Sequence, residues 1–210
     1  MEDPNIAGVE LVAAALGSLC EKLVLVGGCS VGLLITDHAR PPIRQTIDVD
    51  LVAQVASIGD YYGDLHPSLK DRGFVEHADA AHFCRWTKGS LIVDVIPSSD
   101  IFGHSTNIWY EQVVQQANRV TLRTSQEIRV ISAPLFIATK LESFASRGGG
   151  DYLHHDMEDI INVVDGRPEL VEEMSASDPL VSAFVEDEMD RLLSDHTFLE
   201  LLPGHFRTDA

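Results

Sequence analysis

The stretch that decides the fold is Arg44-Gln-Thr-Ile-Asp-Val-Asp-Leu51. It reads as a short strand in which Ile47, Val49 and Leu51 alternate with Asp48 and Asp50. Side chains on a strand repeat every two residues, so both carboxylates are expected on one face and the aliphatics on the other. Two neighbouring acids repel, and beside a core they are costly to desolvate. A divalent cation relieves both costs, because hard ions such as Mg2+ are held by one or two carboxylates together with substrate phosphates. A solvated strand edge is the alternative for an isolated Asp-x-Asp, so the neighbouring segments decide.

Upstream, Leu23-Val-Leu-Val26 is an apolar run that reads as a buried strand. It ends in Gly27-Gly28-Cys29-Ser30, and Val31 to Ile35 follows as a helix. Glycines let backbone approach a ligand closely, and the free N–H groups of a helix start attract phosphate. Ser30 can add a hydroxyl. A plain turn is the alternative here. Downstream, His82 to Trp86 and Ser90 to Ile96 flank Thr87-Lys88-Gly89, a hairpin signal. The second strand is apolar on both faces except for Asp94. An unpaired buried carboxylate is expensive, so Asp94 must be neutral, meet a cation, or bind a metal. With two more acids on another strand, a shared metal is the economical explanation.

The rest of the chain punctuates itself. Helical spacing runs from about residue 5 to 21 and from Ser57 to Arg72, where Gly73 is a stop. Arg40-Pro-Pro-Ile-Arg44 reads as a loop, and Phe74-Val75 as the start of a short strand. Ile108 to Ala117 reads as a helix, then Val120 to Leu122 and Ile128 to Ile131 as a hairpin. From Ser132 onward every periodic segment is helical: up to Arg147, then Asp156 to Val164, then from Arg167, and last from Asp178 to about Ser194. Lys140 and Arg147 lie seven residues apart on one helix face, either solvated or lining an anionic ligand. Asp156 and Asp159 open the next helix, where the helix dipole suits acids. The expected organisation is a mixed α/β (α+β) core over residues 1–131 and a helical C-terminal subdomain over 132–210.

Composition narrows the chemistry. The formal net charge is −18 with only four lysines, which disfavours general nucleic-acid binding. Three widely spaced cysteines, Cys20, Cys29 and Cys84, suggest neither a disulfide framework nor a zinc site. No apolar run approaches the ~20 residues of a membrane helix, and the acidic start lacks the basic segment of a secretory signal. A reduced, cytoplasmic protein is expected.

Gly27-Gly28-x-Ser30, then Asp48-x-Asp50, then Asp94 on a separate strand resemble the signature of the polymerase-beta-like nucleotidyltransferase superfamily. Arg44-x-Thr46-x-Asp48-x-Asp50-Leu51, with Lys140, Arg147 and Asp156-x-x-Asp159, is most similar to its AbiEii/MenT-like toxin branch. The resemblance implies a minimal mixed sheet flanked by helices. It also implies transfer of a nucleoside monophosphate from a nucleoside triphosphate to an acceptor hydroxyl on RNA or protein, as in a toxin. Asp48, Asp50 and Asp94 would be catalytic and would hold two Mg2+ ions. Gly27, Gly28, Ser30, Arg44 and Lys140 would bind the nucleotide. A cognate antitoxin would be a partner if the chain is a toxin. The alternatives are an antibiotic-modifying nucleotidyltransferase, whose cationic substrates suit an acidic surface, or a non-enzymatic nucleotide-binding member of a toxin–antitoxin pair.

Overall fold

In the computed structural model, residues 3–37, 43–77, 84–103 and 106–206 are described. The expected loop at Arg40–Pro42 and the strand start at His82–Phe83 lie outside them. The chain opens with α1 (Ile6–Leu16), whose last turn passes into a 3-10 segment, Gly17–Lys22. β1 (Leu23–Leu25) follows, wholly buried. A 3-10 turn at Gly28–Ser30 leads into α2 (Val31–Leu34), and β2 is Val49–Ala53. α3 (Ile58–Asp60) and α4 (His66–Asp71) flank a π-helical stretch, Tyr61–Leu65. Ser57 caps the start by accepting from the Asp60 N–H, and Gly73 follows the end with φ +80°. Then come β3 (Val75–Glu76), β4 (Arg85–Lys88), β5 (Leu91–Pro97), α5 (Tyr110–Gln115), β6 (Asn118–Thr121) and β7 (Glu127–Val130).

The seven strands form one mixed sheet in the order β3-β4-β5-β2-β1-β7-β6. β2 and β5 run parallel, as do β1 and β7, and the remaining pairs are antiparallel. The fold is thus a mixed sheet flanked by helices, as the sequence suggested. Pleating sends Val49 and Leu51 to one face, where they meet Val9, Val12 and Leu16 of α1. Asp50 points to the other face.

The helical part comprises α6 (Ala133–Arg147), α7 (His155–Gly166), α8 (Leu170–Ser175), α9 (Pro179–Leu193) and α10 (His196–Leu201), with a closing 3-10 turn at Leu202–His205. Asp178 caps α9 by accepting from the Leu180 N–H. α10 is a further helix beyond the expected last one, which ends near Ser194. Asp195 caps α10 through the Thr197 and Phe198 N–H groups. α6 is the central element: Leu135, Phe136, Ile137, Ala138 and Leu141 are buried in one cluster with the sheet. Each of its large side chains contributes roughly 1.5–3 kcal/mol on burial, so the hydrophobic core is continuous across residue 131. The three cysteines are free and buried. Among the described residues, no helix is long and apolar enough to cross a membrane.

Candidate active site

Parallel pairing of β2 with β5 sets Asp50 directly beside Asp94, and antiparallel pairing of β5 with β4 sets Arg85 beside Asp94. Asp48 lies one residue before β2. The three acids, of which Asp94 follows Asp48 by 46 residues, therefore share one face of the sheet. Ile47 departs from the expected alternation. It is 86% exposed, because the pleat begins only at Val49, and it stands at the rim of the site instead of in the core.

Arg85 organises two of the acids. Its Nε donates to Asp94 Oδ1 (2.8 Å), and its Nη2 donates to both Asp94 Oδ2 (2.7 Å) and Asp48 Oδ2 (2.7 Å). These hydrogen bonds hold the guanidinium pKa above its ordinary value. Asp94 is thus met by a cation, which corrects its description as a lone acid in an apolar strand. Arg85 is not among the expected site residues, because the register of the hairpin decides its place. With the turn at Thr87–Gly89, Asp94 would face His82. The strands are joined at Gly89-Ser90 instead, Gly89 having φ +60°, and Lys88 pairs with Leu91. That register brings Arg85 opposite Asp94, and a two-residue Gly-x turn was its sequence signal.

Asp50 is different. Among the described residues its carboxylate has no hydrogen-bond donor. Burial, then Asp48 and Asp94, push its pKa up to about 7. Gly27 makes this placement possible: at φ +64°, a Cβ there would stand 2.0 Å from Asp50 Oδ2. A Cβ on Gly28 would stand 2.7 Å from Thr46 Cγ2. Both glycines are therefore dictated by close approach. Ser30 is fully buried and donates to the Gly27 carbonyl (2.8 Å), so it braces the turn from behind.

The segment carrying Asp48 is stapled by residues that the sequence reading passed over. Buried Asn5 donates to the Arg44 carbonyl (3.0 Å) and accepts the Thr46 N–H (2.9 Å). Cys29 Sγ lies 2.8 Å from Thr46 Oγ1 and 3.2 Å from the Asp48 carbonyl. Burial pushes its thiol up to about 12, so it is a neutral packing group.

Opposite the acids stands a buried charge network. Lys140 is not on a solvated face. Its Nζ donates to Asp156 Oδ1 (2.8 Å) and Asp159 Oδ2 (2.7 Å), and all three side chains are buried. Arg147, more than half exposed, donates through Nε and Nη2 to Asp156 (3.0 and 3.1 Å). Arg44 Nη2 lies 3.7 Å from Asp159. Burial pushes Asp156 up, but Lys140 and Arg147 outweigh it and hold the pKa at about 2. Asp156 and Asp159 thus do more than suit the helix dipole. His154, His155 and Asp156 also lie close enough to share a metal. Asp156, however, already serves two cations, and His154 Nδ1 accepts the Asp156 N–H (3.2 Å) to cap α7. The cluster therefore reads as structural.

Between the acids and this network opens a cavity of about 430 Å3, lined by Gly28, Arg44, Gln45, Thr46, Ile47, Asp48, Asp50, Arg85, Asp94, Lys140, Arg147 and His155. A smaller recess of about 90 Å3 lies on the far side of Asp50, against Gly27, Tyr110, Ser143 and Arg147. The sequence-derived site residues Gly28, Arg44, Asp48, Asp50, Asp94 and Lys140 line the larger cavity. Gly27 lines the recess, and Ser30 lines neither. The residues suit a divalent cation. The donor set is three carboxylates, one of them without a partner among the described residues and cradled against a glycine.

No family model and no curated protein matches the sequence. Solved structures do. The antibiotic-resistance factor ANT(2'')-Ia in solution aligns with TM-score 0.52 and 14% identity over 96% of this chain and 97% of its own. An antigenic nucleotidyltransferase-like protein from Paracoccidioides brasiliensis aligns with TM-score 0.54 and 22% identity over 87% and 92%. The fold is the nucleotidyltransferase fold. ANT(2'')-Ia in complex with adenylyl-2''-tobramycin aligns similarly, with TM-score 0.52 and 14% identity over 88% and 98%.

Proposed function

We propose that this chain is a divalent-metal-dependent nucleotidyltransferase that moves a nucleoside monophosphate from a nucleoside triphosphate to an acceptor hydroxyl. The observation that carries the reading is Asp50: a half-enclosed carboxylate without a donor among the described residues, seated between Asp48 and Asp94 above the Gly27–Gly28 turn, in a nucleotidyltransferase fold. Asp48, Asp50 and Asp94 are the residues that would hold Mg2+. When bound, the metal offsets charge on the attacking and leaving oxygens. The acceptor oxygen bonds to the α-phosphorus, the bond from that phosphorus to the α–β bridging oxygen breaks, and pyrophosphate leaves. The acceptor proton passes to a carboxylate oxygen of Asp94, the general base. The Gly27–Gly28 backbone, braced by Ser30, and Arg44 face the phosphates. Arg147 on the opposite wall would offset charge on the developing pyrophosphate, with Lys140 behind it held by Asp156 and Asp159.

For the acceptor, a cationic small molecule is the favoured class. The net charge of −18 draws cations and repels polyanions, and one structural neighbour carries an adenylylated tobramycin. An AbiEii/MenT-like toxin acting on RNA or protein, with a cognate antitoxin, in the cytoplasm, is the second reading. It is favoured by Arg44, Lys140 and Arg147 lining one cavity, with Asp156 and Asp159 holding Lys140 from behind. Labelled nucleoside triphosphates incubated in parallel with aminoglycosides, total RNA and total protein separate the two. Mg2+ and nucleotide together should also raise the melting temperature more than either alone, because each completes the other's coordination. Absence of that synergy at millimolar ligand would count against the metal–nucleotide site.

A further inference from the structure

We propose that the Arg85 guanidinium is a built-in counterion standing at the cation position between Asp48 and Asp94, so that a divalent ion reaches Asp94 only when Arg85 withdraws. The inference rests on the metal-dependent reading above and adds a step to it. Arg85 takes both oxygens of Asp94 and one of Asp48, leaving Asp50 without any donor among the described residues. One guanidinium thus meets two of the three charges, in the fork geometry that arginine offers to carboxylates. A dication at Asp94 would sit against that guanidinium, and like charges at such range repel strongly in a partly enclosed site. Arginine does not lose its proton in proteins, so the conflict is resolved only by movement. Movement is open to it, since the side chain is 22% exposed at the cavity wall.

Two consequences follow for the site. A first cation can settle on Asp50 and the free oxygen of Asp48 while Arg85 stays on Asp94. A second, at Asp94, requires Arg85 to leave. Until then both Asp94 oxygens are engaged, and the carboxylate is a poor proton acceptor. Arg85 is therefore a positioning residue that couples metal loading to the availability of the base.

Mn2+ titration, with free ion followed by electron paramagnetic resonance, tests this on wild type, Arg85→Met and Arg85→Lys without nucleotide. Wild type should bind one Mn2+ tightly and a second poorly. Arg85→Met should bind the second roughly tenfold to hundredfold more tightly, and Arg85→Lys should fall between them. Equal or weaker second-ion binding by folded Arg85→Met overturns the inference while leaving metal dependence intact. Failure of wild type and both variants to bind Mn2+ removes the metal-dependent reading itself. Should Arg85→Met not fold, the 15N-labelled wild type decides, with the Arg85 Nε–H signal assigned by its loss in Arg85→Lys. Saturating Mg2+ should shift that signal, and an unmoved signal overturns the inference.

Discussion

Replacing Lys140 with methionine should be among the most damaging single changes in this chain. Lys140 Nζ holds Asp156 and Asp159 at 2.8 and 2.7 Å, and the three side chains are 8%, 0% and 4% exposed. Burial lowers the lysine pKa, yet the two carboxylates overcome this and keep it above its usual value. Methionine matches the stem in length but leaves two buried carboxylates short of a cation. Removing one partner of a buried pair typically costs about 3–5 kcal/mol. Arg147 still reaches Asp156, and Arg44 stands 3.7 Å from Asp159, so the low end of that range is expected. A loss of about 3 kcal/mol is a large share of the 5–15 kcal/mol of a typical domain and corresponds to roughly 6–12 °C in melting temperature. Urea unfolding in EDTA reads it directly, with an unchanged m-value showing that the unfolded state is not altered. Adding Asp159→Asn to the Lys140→Met variant should recover part of the loss, since it removes one stranded charge. A cost under about 1 kcal/mol, the level of an exposed pair, would refute the buried network.

The pH dependence of the same network has a definite sign. Asp156 is depressed to about 2 from its ordinary 3.8, so its contribution is full above about 4 and is lost as pH falls toward 2. The stability gap between wild type and Asp156→Asn in urea should therefore narrow across that window and stay flat above it. Gly27→Ala should cost at least about 1–3 kcal/mol from its left-handed backbone alone. Because its Cβ would collide with Asp50 Oδ2, the variant should also lose Mn2+ affinity, read by the same titration. Asp94→Asn in EDTA should lower stability by roughly 1–3 kcal/mol, since it breaks a bidentate pair to Arg85 that is only partly exposed. A rise in its melting temperature would mean that the acids repel one another without arginine between them.

Much of the site was legible because it is carried by local pattern. Alternation marked the strand of Asp50, the apolar run around Asp94 marked a central strand, and the double glycine after Val26 marked a close approach. What stayed hidden depends on pairing between strands and on depth. Arg85 could be placed only by the hairpin register, which a turn assigned two residues early shifts past it. For Lys140, helical spacing gives a face, either solvated or turned to an anionic ligand, but not what covers it. α7 covers it, bringing Asp156 and Asp159. Ser30 looked like a ligand and is a brace, since a hydroxyl one turn into a helix can as readily bond the carbonyl behind it. Asn5 carried no local signal at all, its partners being some 40 residues away.

The central claim is that the bond broken lies at the α-phosphorus. It is tested most directly by presenting the protein, with Mg2+ and a panel of acceptors, with the same nucleoside triphosphate labelled at either the α- or the γ-phosphate. The account predicts that the α-label becomes attached to an acceptor while the γ-label is released as pyrophosphate, and that Asp48→Asn abolishes both. Transfer of the γ-label, release of inorganic phosphate in place of pyrophosphate, or no turnover of any nucleoside triphosphate would contradict it.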